Sequence, residues 1–130
     1  MYRKGARSLE SRRAGGPRYA RRVQDYTPNQ VSRLNAAGAI QLIDVRQGYE
    51  WDAGRIAGAR HVELTRLTDQ ARAIDPDRPV VFYCRTGSRS AMATQAFLRA
   101  GFDAHNMAGG LVDWQAAGLP LEPDGGYVAQ

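Results

Sequence analysis

Residues 79–90 read Pro79-Val-Val-Phe-Tyr-Cys-Arg-Thr-Gly-Ser-Arg-Ser90, and the helix-compatible run Ser90-Ala-Met-Ala-Thr-Gln-Ala-Phe-Leu-Arg99 follows them. An apolar run that stops at a glycine-containing loop and restarts as a helix reads as strand, loop, helix. Such a loop turns successive backbone N–H groups inward at the positive end of the following helix. There they stabilise an anion held above the loop or a thiolate at its rim. Cys84, the only cysteine of the chain, opens this loop, and Arg85 and Arg89 add two fixed positive charges. A free thiol titrates near about 8.5, and amide nests, helix N-termini and nearby cations lower that value. Cys84 is therefore read as a nucleophile. The competing reading, a small buried apolar residue, leaves two nearby guanidinium groups without an anion to serve.

The flanking sequence repeats the alternation. Thr27-Pro28 has the chemistry of a helix start, and Val31, Leu34 and the Ala36-Ala37 pair carry that helix to Gly38. Ile40–Val45 reads as a buried strand that ends in Asp44-Val45-Arg46, and Tyr49-Glu50-Trp51 begins a short helix stopped by Gly54. Residues 56–62 read as a loop feeding a brief strand. Leu64, Leu67, Ala71 and Ile74 have the spacing of one helix face. Asp75-Pro76-Asp77-Arg78-Pro79 is a turn ahead of the central strand. Gly101 is placed as a helix C-cap, Phe102–Met107 gives another strand, and Gly109-Gly110 precedes a helix with Leu111 and Trp114. Strands alternating with helices predict an α/β layer fold with a mostly parallel sheet, and ligands in such folds sit at the carboxyl ends of the strands. Cys84 falls at such an end.

The chain has 130 residues, the size of one ordinary domain. A lone cysteine excludes an internal disulfide framework, and a functional thiol suits a reducing compartment, so the cytoplasm is the expected location. No membrane span or apolar signal block is visible. The formal charge of +5 is uneven: residues 1–24 carry eight of the 18 Lys and Arg and one acid, Glu10. Residues 1–22 are read as a basic disordered extension, residues 23–122 as the folded domain and residues 123–130 as a C-terminal tail. A nucleic-acid-binding arm, an arginine-rich transit segment and a misassigned start codon are the sharper alternatives for the basic extension.

Taken in order, Leu42-Ile-Asp-Val-Arg46, Tyr49-Glu50-Trp51, Gly54-Arg-Ile-Ala-Gly-Ala59, the Val80–Ser90 block, Gly109-Gly110 and Trp114 resemble the rhodanese family of sulfurtransferases. The agreement runs from about Val23 to Leu121. The resemblance implies a three-layer α/β domain, with a five-stranded, mostly parallel sheet and helices on both faces. It implies that a cysteine thiolate takes the sulfane sulfur of a small anionic donor such as thiosulfate. The resulting persulfide passes sulfur to a thiophilic acceptor, with cyanide as the usual test acceptor. Carried onto this chain, Cys84 would be the persulfide-forming nucleophile, and Arg85, Thr86, Gly87, Ser88, Arg89 and Ser90 would cradle and bind the donor. No cofactor and no metal are implied. A protein or a tRNA-modifying partner is the alternative acceptor, with the basic extension as a docking arm.

The chemistry is consistent on its own terms, since sulfur transfer needs an ionised, polarizable nucleophile and a pocket that stabilises an anionic leaving group. No general base is needed, and His61 and His105 lie outside the reactive loop. Four residues separate Cys84 from Arg89, whereas the similar loop of the dual-specificity cell-cycle phosphatases has five. A phosphate ester or arsenate is therefore the different-class alternative substrate. Asp44 and Arg46 match the family's Asp-x-Arg group and are read as an ion pair supporting the site from a strand end. Glu50, Trp51 and Trp114 are read as packing and loop support. Many family members have Gly-His-Ile where this chain has Gly54-Arg55-Ile56.

Overall fold

A computed structural model of the protein describes residues 25–130. The basic extension assigned to residues 1–22 lies outside the described residues. Five strands form one sheet: β1 (Asp25–Tyr26), β2 (Gln41–Asp44), β3 (Arg60–His61), β4 (Val80–Tyr83) and β5 (Ala104–Met107). The order across the sheet is β1-β5-β4-β2-β3, and every pairing is parallel. The helices are α1 (Pro28–Ala36), α2 (Gly48–Ala53), α3 (Leu67–Gln70), α4 (Ser88–Arg99) and α5 (Gly110–Ala116). The expected α/β architecture is the observed one.

Strands β2, β4 and β5 are buried along their whole length, as a parallel sheet covered on both faces requires. The period of two then decides which layer each side chain enters. Val80, Phe82 and Cys84 join Ile43, Val45, Leu67, Ile74, Ala93 and Phe97 on the face covered by α3 and α4. Val81 and Tyr83 point the other way, into a second core with Val31, Leu42, Met107, Leu111 and Trp114. Cys84 thus continues the inward pleat of β4.

The sheet also sets the location of the site. From β2 the chain moves outward to β3, then crosses back to place β4 on the other side of β2. In open α/β sheets ligands sit where strand order reverses, which here is beyond the carboxyl ends of β2 and β4. Asp44 ends the first of these strands and Cys84 follows the second.

The segment from Leu64 to Ile74 differs from the sequence expectation. The apolar spacing from Leu64 to Ile74 does not form one helix but a 3₁₀ turn (Leu64–Arg66), α3 and a second 3₁₀ turn (Ala71–Ala73). Arg66 (φ −104°, ψ −1°) and Gln70 (φ −99°, ψ 3°) leave helical geometry and break the run. Residues 123–130 return to the domain: the Tyr127 amide donates to the Ala53 carbonyl at 2.9 Å and Ala129 is buried.

Candidate active site

The reactive loop spans Cys84 to Gly87 and runs directly into α4, which starts at Ser88, two residues earlier than the run Ser90–Arg99 suggested. Gly87 makes the turn, with φ at +105°, a left-handed conformation that glycine adopts without steric cost. The turn aims its own N–H at the Cys84 sulfur at 3.1 Å. One turn of helix later, the Ser90 amide and hydroxyl each reach that sulfur at 3.4 Å. Ser90 is fully buried, and its carbonyl accepts the Thr94 hydroxyl at 2.8 Å. Burial pushes the Cys84 thiol up, but hydrogen bonds from the Ser90 hydroxyl and from the Ser90, Gly87 and Thr86 amides outweigh it. Its pKa is lowered from the ordinary thiol value.

The back of the loop is clamped by α5. The Leu111 and Val112 amides donate to the Cys84 and Arg85 carbonyls at 2.9 and 3.0 Å. Gly110 permits this approach, because its φ is +61° and a Cβ there would lie 2.6 Å from the Cys84 carbonyl oxygen. The Gly109-Gly110 pair of the sequence is thus the hinge of a carbonyl clamp. From β5, the Asn106 side-chain amide donates to the Gly87 carbonyl at 3.3 Å. Asn106 carried no signal in the sequence beyond its place in a strand.

Cys84 lies at the floor of the loop rather than at its rim, with no exposed surface. The cause is the pleat of β4, which sends the side chain into the α4 core. Burial alone therefore does not separate a nucleophile from a structural cysteine here. The converging donors do, because an ordinary thiol has no need of three hydrogen-bond donors.

Asp44 and Arg46 form a buried pair, with the guanidinium on both carboxylate oxygens (Nη2 to Oδ2 at 2.6 Å) and Nη2 also on the Gly54 carbonyl. Both side chains are fully buried. Glu50 does more than packing. Its carboxylate is buried, and its two oxygens accept from Arg89 Nη1 and Nη2 at 2.8 and 3.0 Å. Burial pushes the Glu50 carboxyl up, but the Arg89 hydrogen bonds, the Gln47 amide and the charges of Arg89 and Arg46 bring its pKa below the ordinary value. Arg89 in turn is raised, chiefly by Glu50. Arg85 keeps a buried Nε with no hydrogen-bond partner among the described residues.

The histidines are engaged elsewhere: His61 Nε2 meets the Arg46 carbonyl at 2.7 Å, and His105 Nε2 meets Asp103 Oδ1 at 2.7 Å. Trp51 stacks on His61 and carries the Arg55 guanidinium on its ring, while Trp114 is core. Among the described residues no group of His, Cys, Asp and Glu is arranged to hold a metal ion, and no helix is long and apolar enough to cross a membrane.

The chain is 34% identical over 94 residues to thiosulfate sulfurtransferase GlpE of Pseudomonas aeruginosa, covering 72% of this chain and 84% of GlpE. It is 34% identical over 99 residues to the HTH-type transcriptional regulator Rv0324 of Mycobacterium tuberculosis, covering 74% of this chain but only 43% of the regulator. The crystal structure of a rhodanese-related protein from Thermoplasma volcanium superimposes with a TM-score of 0.70 at 22% identity, over 75% of this chain and 96% of that one. The family model of the rhodanese-like domain matches residues 27–117, and with the loop, the sheet order and the buried Asp44–Arg46 pair in place, the chain belongs to that family.

Proposed function

We propose that the protein is a sulfurtransferase that carries sulfane sulfur on Cys84. The observation that carries the reading is the convergence of the Gly87 amide and the Ser90 amide and hydroxyl on one buried sulfur. Donors fixed around a thiolate stabilise it before substrate arrives, with no reorganisation during reaction. The thiolate attacks the outer sulfur of thiosulfate, the S–S bond breaks with its electron pair on the departing sulfite, and Cys84 is left as a persulfide anion. An acceptor then removes the outer sulfur and restores the thiolate. Charge balances in both steps without an oxidant or a general base. Arg85, with its unpartnered Nε, and Arg89 at the loop end offer positive charge to the anionic donor and the leaving sulfite. Thr86, Gly87 and Ser88 supply backbone around the same space. With a single cysteine in the sequence, the acceptor that discharges the persulfide is an external small molecule or a protein.

Because Cys84 has no exposed surface, a donor reaches it only after local movement uncovers the sulfur. The test is thiocyanate formation from thiosulfate and cyanide. The wild type should turn over, and Cys84→Ser should not. Full activity in Cys84→Ser would exclude the assignment.

A further inference from the structure

Charge is distributed unequally between Arg85, in the loop, and Arg89, in the first turn of α4. Arg85 has a buried Nε without a partner among the described residues, while Arg89 is held by both oxygens of a carboxylate. That carboxylate, Glu50, comes from α2, 39 residues away in sequence, and is only 2% exposed. Its Oε1 also accepts the Gln47 amide at 3.0 Å, so the group is fixed from behind by the first turn of its own helix. Another cation, Arg46, is already committed to Asp44 in a fully buried pair. Two guanidinium groups therefore face two carboxylates and a thiolate, and of Arg46, Arg85 and Arg89 only Arg85 has no carboxylate partner among the described residues. A second negative charge entering this space meets little free positive charge.

We infer that Glu50 is a specificity-determining residue: by holding Arg89 it limits the charge offered to the donor and sets the preference between singly and doubly charged sulfane donors. The inference rests on the sulfurtransferase reading of Cys84. Arg89 is about one third exposed, so the pair stands at the edge of solvent, where a donor can compete with Glu50 for the guanidinium. Thiosulfate brings two negative charges and leaves as sulfite dianion. An aryl thiosulfonate brings one and leaves as the sulfinate, with the same S–S bond broken and the same persulfide formed. Glu50 disfavours the first more than the second.

The experiment compares kcat/KM for thiosulfate with kcat/KM for benzenethiosulfonate, cyanide being the acceptor. Glu50→Gln keeps an oxygen for the Gln47 amide and removes the charge. It should raise the thiosulfate-to-benzenethiosulfonate ratio by about tenfold, the worth of one charge-assisted hydrogen bond released to the donor. Arg89→Gln should lower the ratio, and the double variant should match Arg89→Gln alone. A merely structural Glu50 would depress both donors together, leaving the ratio unchanged, and that result overturns the inference. Should Glu50→Gln not fold, Glu50→Asp, whose shorter side chain loosens the grip, should shift the ratio the same way, and an unchanged ratio there is equally fatal. Wild-type protein inert toward both donors would instead refute the sulfurtransferase reading itself, and this inference with it.

Discussion

Replacing Ser90 by alanine removes one of the donors on the Cys84 sulfur and leaves the backbone donors in place. The hydroxyl lies 3.4 Å from the sulfur, and both residues are fully buried, so water does not substitute for it. A hydrogen bond to a charged group is worth about 1.5–3 kcal/mol, and a contact of this length belongs at the lower end. About 1.4 kcal/mol corresponds to roughly tenfold less thiolate at any pH below the titration midpoint. The assay is the rate of alkylation by iodoacetamide across pH. Ser90→Ala should react about tenfold more slowly on the acid side of its profile and no more slowly on the alkaline side, where both proteins are ionised. A profile that does not move, or a rate lowered equally at every pH, would refute the claim that the Ser90 hydroxyl stabilises the thiolate. The same coupling appears in stability. The folded thiol is lowered relative to the unfolded one, so the unfolded chain binds more protons and stability rises with pH across the window between the two values. The contribution is complete above the unfolded value, near about 8.5, and is lost as pH falls through the folded one. Ser90→Ala should shrink that rise.

Other substitutions test the supports. Gly110→Ala places a Cβ 2.6 Å from the Cys84 carbonyl oxygen at a φ of +61°, and should cost about 2–4 kcal/mol in urea unfolding while loosening the loop. Asp44→Asn strips the charge partner from the buried Arg46 and should destabilise by about 3–5 kcal/mol, read by the same unfolding curves. Cys84→Ser should keep the wild-type melting temperature to within a few degrees, because serine fills nearly the same space beside the same donors, and should abolish thiocyanate formation. A large loss of stability there would favour a packing role for the cysteine.

The central strand, the loop and the alternation are legible in the sequence because each has a local cause: an unbroken apolar run, a glycine that permits the turn, a helix after it. β1 left almost no trace, since two residues, Asp25 and Tyr26, pair with Asn106 and Met107 at the sheet edge and show no pattern. The segment from Leu64 to Ile74 has helical apolar spacing, but the backbone at Arg66 and Gln70 leaves helical geometry and divides it into short pieces. That loop amides meet the Cys84 sulfur follows from the strand-loop-helix pattern; the depth of the sulfur does not, because burial is set by how α4 packs on β4. Glu50 reads in the sequence only as packing and loop support, because nothing local shows which group its carboxylate meets. Its contact with Arg89 exists only once β2 and β4 lie side by side and bring α2 over the loop. Asn106 and the α5 clamp are likewise products of the sheet order.

The most direct test of the central claim is intact-mass spectrometry of the protein after incubation with thiosulfate and removal of excess donor. Wild-type protein should gain the mass of one sulfur atom, located on the peptide containing Cys84 and released by cyanide, while Cys84→Ser gains nothing. An unchanged wild-type mass, or added sulfur that persists in Cys84→Ser, would contradict the account.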